Sequence, residues 1–334
     1  MPGAKRVTVV GAGVIGLTAA LTLDEAGHDV TVVAAATGDD TTSAVAGAIW
    51  LPFQVGPPAA VTRWAARTRT WLEALARTTP AAGVDLLECL VLDHGERPWW
   101  ADAVGPLERV TTALAGGASA WRFVAPRVDP RLHLPWLEAR LPRPVARRRV
   151  TRLADEPGDA VVNATGLGAR ALTGDAALVG SFGQVLVTAP GGLALGTSLS
   201  DDRDLDALFY TIPRAAPGPG REHVVAEVIL GGCALPGRDE LPPRPDPAIR
   251  ARIERQAAAL GLAPGAVVRE RAGLRPVRPT VRVERDPADP RVIHDYGHGG
   301  AGYTLARGCA EDVVALVAGD PGLDPGLDPR LRDA

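Results

Sequence analysis

The stretch "VTVVGAGVIG", residues 7–16, decides the fold. Val7–Val10 is a short β-branched run and reads as a buried strand. Val14 to Ala26 keeps helical apolar spacing until Gly27 ends it, and Val30 to Val33 reads as a second buried strand. The result is a βαβ unit with Gly11, Gly13 and Gly16 at its strand-to-helix turn. Gly11 permits the tight turn, and Gly13 lets backbone amides approach a pyrophosphate at the positive end of the helix. Gly16 lets helix and strand pack closely. The following segment, "HDVTVVAAATGDD" at 28–40, departs from that pattern. An Asp or Glu is expected at the end of the second strand to hold a ribose, and Ala34-Ala35-Ala36 stands there instead.

The chain has 334 residues and is 46% hydrophobic, enough for a large core and two lobes. Its net charge of −3 gives no pull toward nucleic acid or an anionic membrane. Cys89, Cys233 and Cys309 are odd in number and far apart, and read as reduced, buried thiols in a cytoplasmic protein. No apolar run is long enough to span a bilayer, and no signal-peptide pattern opens the chain.

Further along, 60–79 is expected to be an amphipathic helix with Trp64, Trp71, Leu72 and Leu75 on one face, and 130–141 another helix. "DAVVNATGLGAR" at 159–170 reads as strand, Gly turn and short helix, with Thr165 and Gly166 in the turn. A strand at 183–189 precedes an antiparallel hairpin of 208–213 with 222–232. A Pro-rich connector (235–247) leads to a helix at 248–260. The segment 273–285 is extended, and 292–319 is strand, Gly turn and long helix. The Asp-Pro-Gly-Leu repeats of the tail read as a loosely attached end.

In "GLRPVRP", Arg275 and Arg278 sit three apart on an extended segment. Alternation turns one into a cleft and the other away. A planar guanidinium in a cleft suits a carboxylate ligand. In "HDYGHGGAGYT", His294 and His298 have the spacing of a helical metal pair, but Gly297, Gly299, Gly300 and Gly302 argue against a helix there. The Gly cluster offers backbone donors and a helix start that stabilise negative charge. No metal site is expected.

Taken in this order, these motifs, with "TTSAVAGAIWLPF" at 41–53 and "YTIP" at 210–213, resemble the D-amino-acid oxidase family of FAD enzymes over almost the whole chain. The resemblance implies an α/β fold: a Rossmann-like FAD-binding domain interleaved with a substrate domain containing a mainly antiparallel sheet. The FAD part would draw on 1–50, 145–185 and 270–334, and the substrate part on 51–144 and 186–269. It implies FAD held by Gly11, Ala12, Gly13, Val14, Ile15 and Gly16, by Thr41, Thr42 and Ser43 near the phosphates, and by Val150 at the adenine. The backbone of Ala48, Ile49 and Trp50 would lie beside the isoalloxazine. Thr165 and Gly166 would close the domain, and Gly299, Ala301, Gly302, Tyr303 and Thr304 would flank the pyrimidine edge. Arg275 and Tyr210 would fix a substrate carboxylate, and the Gly300 carbonyl its amine. The implied reaction is hydride transfer from Cα of a D-amino acid to flavin N5, with O2 as acceptor, giving a 2-oxo acid, ammonia and hydrogen peroxide.

This sequence departs from the family pattern at several positions. Phe182 precedes Gly183-Gln184 where the family often has Arg, Arg307 replaces an aromatic, and Asp206 stands about where some members have a second tyrosine. Phe53 supplies no extra cation, so a neutral side chain is expected rather than D-aspartate. Competing readings are a related amine- or glycine-type oxidase and a weakly flavinylated, non-catalytic homologue. A homodimer is common in the family, though no sequence feature indicates one.

Overall fold

The apolar run at the start of the chain lies inside a parallel sheet covered on both faces. A computed structural model describes residues 3–193, 196–215, 225–239 and 241–319. Its strands are β1 (Arg6–Val10), β2 (Asp29–Ala34), β3 (Val84–Leu92), β4 (Glu108–Thr111), β5 (Ser119–Val128), β6 (Ala146–Arg147) and β7 (Ala160–Asn163). They continue with β8 (Val179–Thr188), β9 (Thr197–Asp201), β10 (Phe209–Ala215), β11 (Val225–Gly231), β12 (Leu235–Pro236), β13 (Val267–Arg285) and β14 (Val292–His298). The helices are α1 (Val14–Glu25), α2 (Thr42–Val45), α3 (Pro58–Thr78), α4 (Pro130–Glu138), α5 (Ala169–Thr173), α6 (Pro247–Ala259) and α7 (Gly302–Ala318).

One sheet runs β4-β5-β3-β9-β10-β11-β8-β13-β14-β7-β1-β2-β6, with β12 paired to β8. The β14-β7-β1-β2-β6 end is parallel. The rest is antiparallel apart from the β3–β9 pair. Strands β1, β2 and β7 are Val-rich and, with β14, almost wholly buried, while the edge strand β6 is exposed. Helix α7 packs on α1 and α3. Its approach to α3 is close enough that a β-carbon at Gly308 would lie 2.3 Å from the Trp64 carbonyl. There Asp312 receives Trp64 Nε1 at 2.6 Å, Arg67 at 2.6 Å and Arg63 at 3.1 Å. Trp64, Leu72 and Leu75 of α3 are buried on the expected face, with Trp71 half-buried beside them.

Helix α4 stops at Glu138, short of the expected 141, and only isolated turns follow before Pro142. The 208–213/222–232 hairpin is present as β10–β11, although 216–224 lies outside the described residues, as does the tail from 320 onward. The antiparallel sheet extends well beyond 183–232, because β3, β4 and β5 join it. All three cysteines are free and buried. Among the described residues no helix is long and apolar enough to cross a membrane.

Candidate active site

A cavity of about 830 Å³ runs from the β1–α1 turn to the antiparallel sheet. That size is near the top of the roughly 300–1,000 Å³ range of ligand clefts and suits a dinucleotide with a small second ligand. At the first end its floor is bare backbone. Gly11 has φ +121°, and a β-carbon there would lie 2.3 Å from the Ala164 carbonyl oxygen. A β-carbon at Gly13 would lie 3.0 Å from Ser43 Oγ. Ser43 Oγ accepts from the Val14 amide at 3.0 Å and so reaches the first turn of α1. A cradle that tolerates no side chain and opens a helix N-terminus fits a pyrophosphate.

Asn163 ties the second glycine turn to the sheet. Its Oδ1 accepts from Thr165 Oγ1 at 2.7 Å, and its Nδ2 donates to His294 Nδ1 at 3.3 Å. His294 passes Nε2–H to Asp286 at 2.9 Å. His294 and His298 therefore lie on strand β14, and the first is committed to a structural chain.

Of the residues singled out in the sequence, Gly11 to Ile15, Thr41 to Ser43, Ala48, Ile49, Val150, Thr165, Gly166, Gly299, Gly300, Gly302, Tyr303, Tyr210 and Arg275 line this one cavity. Gly16, Trp50, Ala301 and Thr304 do not. Gly16 lies beneath the turn, where a β-carbon would meet the Gly11 carbonyl at 2.0 Å. Trp50 is fully buried and donates Nε1–H to Ala65 O at 3.0 Å. Thr304 Oγ1 clasps the Leu51 backbone, accepting at 3.1 Å and donating at 3.0 Å. Ala301 is buried at the N-cap of α7. These four hold the wall in place from behind.

Arg275 lies on the cavity wall, and Arg278 turns away to pair with Asp175 at 2.9 Å, as strand alternation requires. Arg275 Nη1 donates to Cys233 O at 2.6 Å. Tyr210 stands beside it, and burial pushes its phenol above the ordinary value while the Arg275 charge pulls the other way. The Tyr210 ring lies across its strand partner Gly231, where a β-carbon would come within 2.0 Å of Cζ. A β-carbon at Gly300 would lie 3.1 Å from Phe53 Cδ1 and 3.5 Å from Arg275 Cδ. Phe53, Gly300 and Arg275 thus converge on one spot.

Several residues in and around the wall went unread in the sequence. Gly183 and Gly231 make room for Arg275 and Tyr210, and the short β6 strand brings Arg148, Arg149 and Thr151 opposite Ala34–Ala36. Asp40 lines the wall, while Thr37, Asp39 and Asp206 do not. Asp295, His298 and Cys309 gather within 4.8 Å of one another, the first two lining the cavity and Cys309 not. Burial raises both the Asp295 carboxyl and the Cys309 thiol. Metal ligation needs those groups deprotonated, so the environment works against it.

A model of the DAO family, described as FAD dependent oxidoreductase, matches residues 6–316. The D-amino-acid oxidase of Streptomyces coelicolor is 38% identical over 323 residues, covering 94% of this chain and 97% of that protein. The D-amino-acid oxidase of Rubrobacter xylanophilus is 38% identical over 325 residues, covering 93% and 95%. Among solved structures, iminodiacetate oxidase from Chelativorans sp. BNC1 superposes with a TM-score of 0.74 at 18% identity, covering 95% of this chain and 96% of that one.

Proposed function

The chain belongs to the DAO family of FAD-dependent oxidoreductases, and on that premise we propose that it is a D-amino-acid oxidase. The observation that carries this reading is the pairing of Arg275 and Tyr210 on the wall of the cavity that the Gly11–Gly13 turn closes at its other end. Two independent requirements, a dinucleotide cradle and a carboxylate clamp, meet in one space.

Bound FAD supplies the two-electron acceptor for the substrate Cα–H and delivers those electrons to oxygen as hydrogen peroxide. Gly11, Gly13, Val14 and Ser43 would hold its pyrophosphate. In the proposed role Arg275 grips the substrate α-carboxylate and Tyr210 donates to the same group. Gly300, whose missing side chain leaves the space beside Phe53 and Arg275 open, offers its carbonyl to the amine. Three fixed points set one face of Cα, so orientation supplies enantiomer choice and much of the rate, with no side-chain base required. The imino acid then hydrolyses in water to the 2-oxo acid and ammonia. Phe53, Ile49, Leu208 and Ile212 give the clamp an apolar surround that takes a neutral side chain. An acidic one would find no partner cation there.

The test is a peroxide assay on FAD-reconstituted protein against D- and L-leucine, D-aspartate, glycine and sarcosine. D-Leucine turnover without L-leucine turnover is expected. D-Aspartate as the best substrate would overturn the neutral-side-chain reading. Glycine or sarcosine as the best substrate would replace the D-amino-acid reading with a glycine-type oxidase.

A further inference from the structure

The cavity wall carries a carboxylate at a fixed strand register from Tyr210. In the antiparallel β9–β10 pair, Ser200 stands opposite Tyr210 and Asp201 opposite Phe209. The same register carried one step further sets Asp202 opposite Leu208. Ser200, Asp202, Leu208 and Tyr210 line the cavity, while Asp201 and Phe209 do not. That division is the two-residue alternation of extended chain. Asp202 is therefore on the inner face, two residues and about 7 Å along the wall from the level of Tyr210.

The charges around Asp202 are already engaged. Asp201 pairs with Arg203 at 2.8 Å. Asp204 caps its own turn by accepting from the Asp206 amide at 2.9 Å. Arg252 spends its guanidinium on the carbonyls of Asp206 and Gly232, at 2.7 and 2.6 Å. Among the described residues Asp202 Oδ1 meets only His94 Nε2, at 2.9 Å, from an imidazole whose side chain is 50% exposed. Among the described residues no group holds Oδ2.

We propose that Asp202 is a specificity-determining residue that receives the terminal cation of a long basic D-amino acid, so that the site prefers a charged side-chain end to a neutral one of the same length. The inference rests on the D-amino-acid reading above. With the α-carboxylate at Arg275 and Tyr210, the step of about 7 Å matches the reach of an extended lysine- or arginine-length side chain. A short neutral side chain ends at Leu208 and Ile212 and never reaches Asp202. An acidic side chain meets a like charge.

The experiment compares kcat/KM for D-arginine and D-citrulline, which have the same length but differ in charge, on the FAD-reconstituted full chain. D-Arginine is expected to win by about tenfold at low ionic strength, the size of a partly screened charge-assisted contact. The preference should shrink as salt is raised. This salt series needs no variant. Asp202→Asn should bring the ratio close to one, whereas a merely structural role would lower both substrates together and leave the ratio in place. A wild-type ratio near one, or a ratio unmoved in Asp202→Asn, overturns the proposal. Turnover of D-leucine without charge preference overturns this inference alone. Failure to oxidise any D-amino acid with FAD bound overturns the reading beneath it.

Discussion

The guanidinium of Arg275 occupies the space that a side chain at residue 183 would fill. A β-carbon on Gly183 would lie 2.5 Å from Arg275 Nη1 and 2.7 Å from Cζ. The two residues sit on neighbouring strands, β13 and β8, with Gly273 directly opposite Gly183. Arg275 reaches diagonally across that gap.

Gly183→Ala therefore tests the clamp without touching a charged group. The displaced atoms are the far end of a flexible side chain, so the sheet survives and the guanidinium moves. A shift of about 1 Å at a substrate-positioning group can cost on the order of a hundredfold. The expected result is a KM raised ten- to hundredfold with FAD absorbance and melting temperature near wild type. Loss of FAD with an unchanged KM in the remaining holoenzyme would place Arg275 elsewhere than at the substrate.

Tyr210 yields a prediction with a pH sign. Burial raises its phenol above the ordinary value of 10.0, so the hydroxyl stays a neutral donor throughout the working range. Tyr210→Phe should lower kcat/KM by about ten- to a hundredfold, the size of a hydrogen bond to a charged group. Below pH 10 the shape of the pH profile should be the same in both proteins. An alkaline limb near about pH 8–9 that disappears in the variant would show the phenol ionising in the active enzyme.

Much of this site was legible because it depends on local spacing. The βαβ turn follows from glycines at fixed offsets, and the opposite fates of Arg275 and Arg278 follow from a period of two. What was not legible depends on which strands become neighbours. Gly183 and Gly231 look like ordinary strand glycines until Arg275 and Tyr210 fold across them. Asp202 becomes a wall residue only once β9 pairs with β10. Strands β3 and β5 escaped notice because they mix buried and exposed apolar residues: Leu86 and Val124 are 46% and 47% exposed. The motif places the backbone of Trp50 at the site and says nothing of its indole, which serves the core.

His133 links the fold to acid sensitivity. It is buried, stacked on Trp136 at 5.5 Å, and donates Nδ1–H to Ala82 O at 2.8 Å. Burial holds its pKa down at about 4, against an ordinary 6.5. Between those values the unfolded chain takes up a proton that the folded chain refuses. The contribution is complete above about pH 6.5 and is lost as pH falls toward 4, amounting to about 3 kcal/mol over the window. Melting temperature should be flat near neutrality and drop below pH 6.5. His133→Gln should start lower at pH 7 and fall less steeply, as thermal melts between about pH 4 and 8 would record. Parallel curves would assign the acid sensitivity to other groups.

The three alanines at the end of β2, Ala34 to Ala36, remain the weakest part of the dinucleotide site. Their methyl groups accept no ribose hydroxyl. Across from them Arg148 is committed to Glu156 at 2.5 and 2.8 Å, and Asp40 stands 3.6 Å from Arg147 with both side chains well exposed. Arg149 lines the wall with no side-chain partner among the described residues. The wall here offers cations and few acceptors. Each missing hydrogen bond costs about 1 kcal/mol, so FAD should bind several-fold to tenfold more weakly than to a site with an acidic residue and should wash out on extensive dialysis. Ala35 is exposed, so Ala35→Asp adds a carboxylate without burying it. The expected result is an FAD dissociation constant lowered about five- to tenfold in a fluorescence titration, with riboflavin affinity unchanged because riboflavin has no adenosine. An equal gain for riboflavin would mean the new carboxylate acts on the flavin half, and no gain for FAD would mean that backbone or Asp40 already holds the ribose.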